Sequence, residues 1–211
     1  MKQSICRIRM SLKRLLVVAG AVTLAACTSP QVRFHTLMPA PGQQPSQQME
    51  VEGQADISVT RVSVPAQVER SELVMRKGVS ELVVLSSDWW SASLGEEVRS
   101  ALVAGFGPGA TEAPRVGLRL QITRFDSVPG KHAWLEARYR VTAQDGEGDH
   151  QLSCSARLRT AVSDAGNDPV DALVLAQQEN LRMLINRIMR AASGLAAGRG
   201  CPSAPQPVPS L

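Results

Sequence analysis

Covalent or metal chemistry in this sequence would have to come from its thiols and imidazoles. Cysteines stand at positions 6, 27, 154 and 201, and histidines at 35, 132 and 150. Cys27 closes the stretch Leu24-Ala25-Ala26-Cys27, a thiol behind small residues at the end of an apolar run. The chemistry such a cysteine invites is acylation: a diacylglyceryl group on sulfur, cleavage after Ala26, and an acylated new N-terminus on Cys27. Cys6 would leave with the leader. That leaves Cys154 and Cys201 as an even pair in an oxidising compartment, a disulfide candidate. Their bond would close a loop of roughly 47 residues, worth ~3–4 kcal/mol in the chain-entropy view. The alternative is a buried free Cys154 with an exposed Cys201.

The histidines fall in predicted loops or strand ends, and no two have ligand spacing. HExxH, GxSxG, a phosphate loop and CxxC are all missing. Asp126, Asp145, Glu147 and Asp149 lie near turns without the spacing of an EF-hand loop. A catalytic or metal site needs several convergent partners. The sequence therefore predicts no enzyme, no metal and no cofactor, and it predicts each histidine at the surface.

The residues ahead of Cys27 set the compartment. Residues 1–14 carry Lys2, Arg7, Arg9, Lys13 and Arg14 and no acid; residues 15–26 are uncharged and mostly Leu, Val and Ala. This is a cationic n-region followed by an h-region. The apolar run is about a dozen residues, short of the roughly 20 that a transmembrane span requires. The stretch reads as a lipoprotein signal over 1–26 with its lipobox at Cys27; Met10 as the start would also leave a normal leader. Two acyl chains anchor a protein durably where one does not. Thr28 rather than Asp follows Cys27, which by rule of thumb favours the outer membrane of a Gram-negative cell, periplasmic face.

The leader also explains the charge. The whole chain has 23 Lys+Arg and 19 Asp+Glu; removing five cations and no acid leaves 18 against 19, a net charge of −1. The pI of 9.2 thus belongs to the leader. It does not support nucleic-acid binding, which needs a basic footprint on the folded domain.

The elements follow from hydrophobic period. Residues 27–200 are expected to form a single periplasmic domain, large enough for a real core. Val32 to Leu37 reads as a first strand, and 39–54, rich in Pro, Gly and Gln, as a flexible loop. In the next strand Ile57 and Val59 take one phase and Val62 and Val64 the other, which predicts a bulge or burial on both faces. Short strands Leu73–Met75 and Leu82–Leu85 flank a Lys77-Gly78 turn. Ser87-Asp88 offers a cap for a helix over 89–106, opened by Trp89 and Trp90 and carrying Leu94, Val98, Ala101 and Leu102 at helical spacing. One of the two tryptophans is expected to pack on the sheet. Three strands then alternate cleanly, over 116–123, 133–143 and 152–162, with turns at Pro129-Gly130 and Asp145-Gly146. Asn167-Asp168-Pro169 caps a final helix whose stripe runs Val170, Leu173, Val174, Gln177, Leu181, Leu184, Ile185, Ile188 and Ala192. A Pro/Ser-rich tail, 201–211, follows. The expected fold is α+β: five or six strands in a mostly antiparallel sheet, with two helices packed on one face.

Arg119, Arg138, Arg140, Arg157 and Arg159, with Glu136 among them, fall on the polar phase of the three alternating strands. They make either an ordinary solvated sheet face or a docking face for an acidic partner or lipid phosphates.

In order and spacing these landmarks resemble the PqiC-type lipoproteins, the ABC-type transport auxiliary lipoprotein component family, over nearly all of 27–194. The carrying features are the lipobox; Phe34-His35-Thr36-Leu37; Val64-Pro65 with Arg70 after it; Trp90, Leu94 and Val98; the Leu-x-Leu-x-Ile-x-x-Phe run from Leu118 to Phe125; and Ala176, Leu181, Leu184 and Ile188. His35 stands where an aromatic is usual, and Gln67 to Glu69 lacks the aromatic and leucine often found before the Arg. The resemblance implies a non-catalytic outer-membrane subunit of an envelope-spanning lipid transport system that supports membrane integrity. Its partner would be an inner-membrane-anchored MCE-domain protein whose periplasmic tunnel it receives. Trp89 or Trp90, with the arginine face, would contact a neighbour, and a partly exposed sheet or Trp patch could serve a homo-oligomer as well as docking.

Two other classes compete: a free-standing lipid-binding lipoprotein that shields an acyl chain, and a structural envelope lipoprotein. Lipid extracted stoichiometrically from the domain marks the first of these. An MCE-domain gene beside this one marks transport.

Overall fold

The computed structural model describes residues 31–39, 55–108, 113–143, 150–162, 168–195 and 197–202. The leader, Cys27, loop positions 40–54, the Asp145-Gly146 turn, Asn167 and the tail beyond Pro202 lie outside the described residues. The chain divides into two compact units, Met1–Val32 and Arg33–Leu211, and the second holds every element described here.

In chain order these are β1 (Arg33–His35), β2 (Asp56–Ser63), β3 (Glu72–Lys77), β4 (Glu81–Trp90), α1 (Leu94–Phe106), β5 (Arg115–Val128), β6 (His132–Ala143), β7 (Gln151–Ala161) and α2 (Pro169–Leu195). The strands form two sheets, ordered β2-β5-β6-β7 and β1-β4-β3. The fold is α+β. Antiparallel pairing joins β5 to β6, β6 to β7 and β3 to β4, but β1–β4 and β2–β5 pair in parallel. Seven strands occur among the described residues, against the five or six expected; three of their five pairings are antiparallel, including the expected β5-β6-β7 meander, and the other two are parallel. Alternation reveals that a segment is a half-buried strand; it carries nothing about the partner that strand will find.

The long strands alternate because one face is covered. Leu118, Leu120, Ile122, Leu135, Ala137, Tyr139, Val141, Cys154, Ala156 and Leu158 are buried, while their neighbours face outward. Helix α2 lies along β5, β6 and β7, and α1 lies on β2 and touches α2, so both helices cover one face. Each residue of the expected α2 stripe is buried. Asp168 caps α2: its Oδ1 accepts the Val170 N–H at 2.8 Å, with Pro169 at the first helical position, where no N–H is missed. Three polar residues of α2 are buried as well, two of them in a ladder. Gln177 Nε2 donates to the Asp126 carbonyl at 3.0 Å, Asn180 Nδ2 donates to Gln177 Oε1 at 3.2 Å, and Thr160 donates to Asn180 Oδ1 at 2.9 Å. The third, Arg187, is 7% exposed.

The expected bulge in β2 is present. Register with β5 shifts between Val59 and Arg61; Thr60 donates its hydroxyl to the Leu118 carbonyl at 2.7 Å. Arg99 of α1 donates to the Val59 carbonyl at 3.0 Å, tying that helix to the bulge.

The first helix begins later than its sequence pattern suggests. Trp89 and Trp90 end β4 rather than open α1, and the cap position is Ser93. Asp88, read as a cap, is buried within the strand at 4% exposure. The aromatic pair suits a pleated strand, and β1 pairs there, Arg33, Phe34 and His35 opposite Asp88, Trp89 and Trp90. Trp90 then packs edge-to-face on Phe125 of β5, ring centres 6.4 Å apart, which fastens one sheet to the other. Gly107, at φ 66°, ends α1.

Candidate functional site

Two surfaces collect the residues singled out above. The first is the outer face of the four-stranded sheet. Its strand register puts Arg61, Arg119, Arg140 and Ser153 in one row across β2, β5, β6 and β7. The next row is Ser63, Gln121, Arg138 and Ser155. Below it Arg124, Glu136 and Arg157 stand side by side, followed by Trp134 and Arg159. Arg61, Arg119, Arg138, Arg140, Arg157 and Arg159 are all exposed. Of the expected arginines the structure thus gathers every one on a single face and adds Arg61, from a strand whose parallel partner was not foreseen.

The two ends of this face differ. At one end Arg124 lies 4.2 Å and Arg159 5.7 Å from the Trp134 ring, and Trp134 donates to Glu136 Oε1 at 3.1 Å. Asp126 there is buried between Arg76 of β3 at 3.0 Å and Arg124 at 2.5 Å. Burial alone would raise its carboxyl, but these two guanidiniums hold it below the usual carboxylate range. His132 accepts from Arg159 at Nδ1, 3.1 Å away. Burial, then Arg159 and Arg124, push its imidazole below its ordinary value. At the other end Arg61, Arg119, Arg138 and Arg140 have no carboxylate within ion-pair distance among the described residues. Arg140 there donates to Ser153 Oγ at 3.2 Å.

The second surface is the outer edge of the small sheet. Phe34 on β1 is 68% exposed and sits opposite half-buried Trp89 on β4. Trp89 Nε1 donates to the Ser86 carbonyl at 3.1 Å. Trp90 points into the core, so of the tryptophan pair only Trp89 can meet a partner.

Beneath this edge lies a polar clamp that the sequence did not announce. His35 is buried, not superficial: its side chain is 7% exposed and Nε2 lies 2.9 Å from Asp88 Oδ1. Arg33 contacts Asp88 at 2.5 Å and Asp168 at 2.8 Å, joining β1 to β4 and to the start of α2. Its guanidinium is held above its ordinary value by Asp168, against desolvation, with help from Asp88. Burial would raise the Asp88 carboxyl; His35, Ser87 and Arg33 outweigh it and bring it below the usual range. An ionised carboxylate only accepts, so His35 Nε2 carries the proton. Glu97 of α1, also buried, accepts from Thr36 Oγ1 at 2.8 Å, from the Leu37 N–H at 2.9 Å and from Ser91 Oγ. The signal that could have exposed this clamp is the pairing of Arg33 and His35 with Asp88 at matching strand spacing.

Cys154 and Cys201 are joined, with Cα atoms 5.6 Å apart, which fixes the segment after α2 to the edge strand β7. Among the described residues no cluster of metal-ligating side chains occurs, and no helix is long and apolar enough to cross a membrane.

The fold is similar to that of two solved structures. One is described as an uncharacterized protein: TM-score 0.56, 14% identity, covering 76% of this chain and 98% of that one. The other is a Xanthomonas campestris protein of family DUF330: TM-score 0.54, 18% identity, covering 80% of this chain and 94% of that one. Among curated proteins no relative matches. The sequence pattern of the ABC-type transport auxiliary lipoprotein component family matches residues 35–189, and the chain belongs to that family.

Proposed function

We propose that this lipoprotein is anchored through Cys27 at the periplasmic face of the outer membrane and docks the periplasmic tunnel of an MCE-domain protein within an ABC-associated lipid transport system. The observation that carries the docking role is the exposed Phe34 beside Trp89. Large aromatics at a reachable surface are the residues that dominate binding energy in interfaces, and here they are held by the Arg33–Asp88–Asp168 clamp rather than by a mobile loop. The role asks for no catalysis, only for an anchored, rigid contact surface, and self-association could use the same edge.

Crosslinking of the full-length protein in its native envelope tests this. An MCE-domain protein among the captured partners, lost on Phe34→Ala or Trp89→Ala with folding retained, is the expected result. Capture of only unrelated envelope proteins overturns the reading.

A further inference from the structure

We infer that the open end of the arginine face binds the phosphate groups of an anionic phospholipid surface. The inference deepens the reading above, since it rests on the chain being held at a membrane. Four observations carry it.

The first is the placement of charge. With the leader removed, the chain carries 18 cations against 19 acids, so a surplus of arginine is not available to every surface. Yet Arg61, Arg119 and Arg140 stand directly opposite one another on three adjacent strands. Like charges in opposed positions destabilise a sheet. The second is the absence of internal neutralisation: none of these three, nor Arg138, has an ion-pair partner among the described residues, whereas Arg76, Arg124 and Arg182 do.

The third is the chemistry between the arginines. Every outward side chain in the two upper rows is Arg, Ser or Gln, and none is acidic or apolar. Guanidinium forks and hydroxyls are donors suited to phosphate oxygens, which Arg meets in bidentate fashion. The fourth is shape. The open end of the face carries no apolar side chain, Trp134 lying at the other end, so a protein partner would find no desolvated anchor there, only exposed charges of small worth. A layer of phosphates needs no such anchor, because each Arg near an anionic surface adds its own attraction. An acidic protein is therefore the weaker match.

The test uses the full chain isolated from the envelope, mixed with vesicles of phosphatidylcholine alone or with about one-third phosphatidylglycerol, a content that sets a negative surface potential. Phenylglyoxal modification of each arginine is followed by peptide mass spectrometry. Arg61, Arg119, Arg138 and Arg140 should react about threefold or more slowly on the anionic vesicles, with protection lost near 0.5 M salt, where screening is short-ranged. Arg190, exposed on α2, serves as the internal reference. Equal rates on both vesicles overturn the inference. Protection by inorganic phosphate with neutral vesicles would assign a free-anion site instead, and protection only on adding native envelope protein would assign an acidic partner; either overturns it. In the Arg119→Gln/Arg140→Gln double variant, protection of Arg61 and Arg138 should also fall. The mass of the Cys27 peptide in the same sample reports the anchor separately, so loss of the anchoring reading and loss of this one are told apart.

Discussion

His35 on β1 and Asp88 on β4 lie 2.9 Å apart, Nε2 to Oδ1, and Arg33 reaches the same carboxylate oxygen at 2.5 Å. This contact sets the parallel register that places Phe34 beside Trp89. It also makes the small sheet acid-sensitive, as the Arg76–Asp126 pair does its junction with β5. The carboxyls of Asp88 and Asp126 are both held below their ordinary value. Between the folded and unfolded values the unfolded chain binds more protons, so this stabilisation is full above the unfolded value, near pH 4, and is lost as pH falls through the folded ones. Urea midpoints should hold from pH 6 to about 4 and drop below it, and Asp88→Asn should flatten that drop while costing about 2 kcal/mol at pH 7, the scale of a charge-assisted hydrogen bond. A variant with the wild-type acid slope would remove Asp88 from the account.

Glu97 is the second point of leverage. Three donors converge on its buried carboxylate, from Thr36, Leu37 and Ser91. Glu97→Ala strands them and should cost about 2–4 kcal/mol, because unsatisfied buried groups forfeit their full desolvation. Thr36→Val removes one donor and its acceptor need together, so it should cost about 1 kcal/mol. Equilibrium unfolding in urea gives both values, and an equal cost for the two variants would contradict the buried-carboxylate argument.

How much of this was legible beforehand depends on the range of the interaction. The strands β5, β6 and β7 and the helix α2 were readable because burial on one face imposes a period of two or 3.6, and each such residue reports its own environment. Position 88 was not readable in that way. An Asp after Ser and before apolar residues at helical spacing looks like a cap, and only Arg33 and His35, more than fifty positions upstream, make it a buried partner. The arginine face was visible as a polar phase on β5, β6 and β7, but Arg61 joined it only through the parallel β2–β5 pairing.

The disulfide makes a third expectation. Cys154 and Cys201 are 47 positions apart in sequence, and a loop of that length corresponds to about 3–4 kcal/mol of lost unfolded-state entropy. Cys154→Ser/Cys201→Ser should lower the urea midpoint accordingly while leaving the circular dichroism spectrum intact. Wild type treated with dithiothreitol should match the double variant. A reduced wild type as stable as the oxidised one would show that the bond adds nothing.

Helix α1 meets α2 at Gly105, where a Cβ would lie 2.6 Å from Ile185 Cδ1 and 3.3 Å from its Cγ2. Alanine is the better helix former by roughly 1 kcal/mol, but Ile185 is buried and its branched Cγ2 cannot swing away freely. Gly105→Ala should therefore destabilise, by about 1–2 kcal/mol, as overpacked cores do. Ile185→Val removes Cδ1 and should relieve part of that cost. A double-mutant cycle on Tm and urea midpoints reads the coupling directly; additive effects would place the two residues out of contact.

The opposed arginines offer a last and contrary expectation, a substitution that stabilises. Arg119 and Arg140 are cross-strand neighbours, and among the described residues neither has a carboxylate partner. Replacing a like-charge pair by an opposite one on adjacent strands is worth roughly 0.5–1 kcal/mol. Arg140→Glu should raise the urea midpoint at low ionic strength, and the gain should shrink as salt screens exposed charges. If the face were no more than solvated sheet, that gain would come without loss elsewhere. If it holds phosphate, the same variant should be more stable and yet lose protection of Arg119 on anionic vesicles. Stability and binding moving in opposite directions at one residue is the signature of a charge kept for a ligand rather than for the fold.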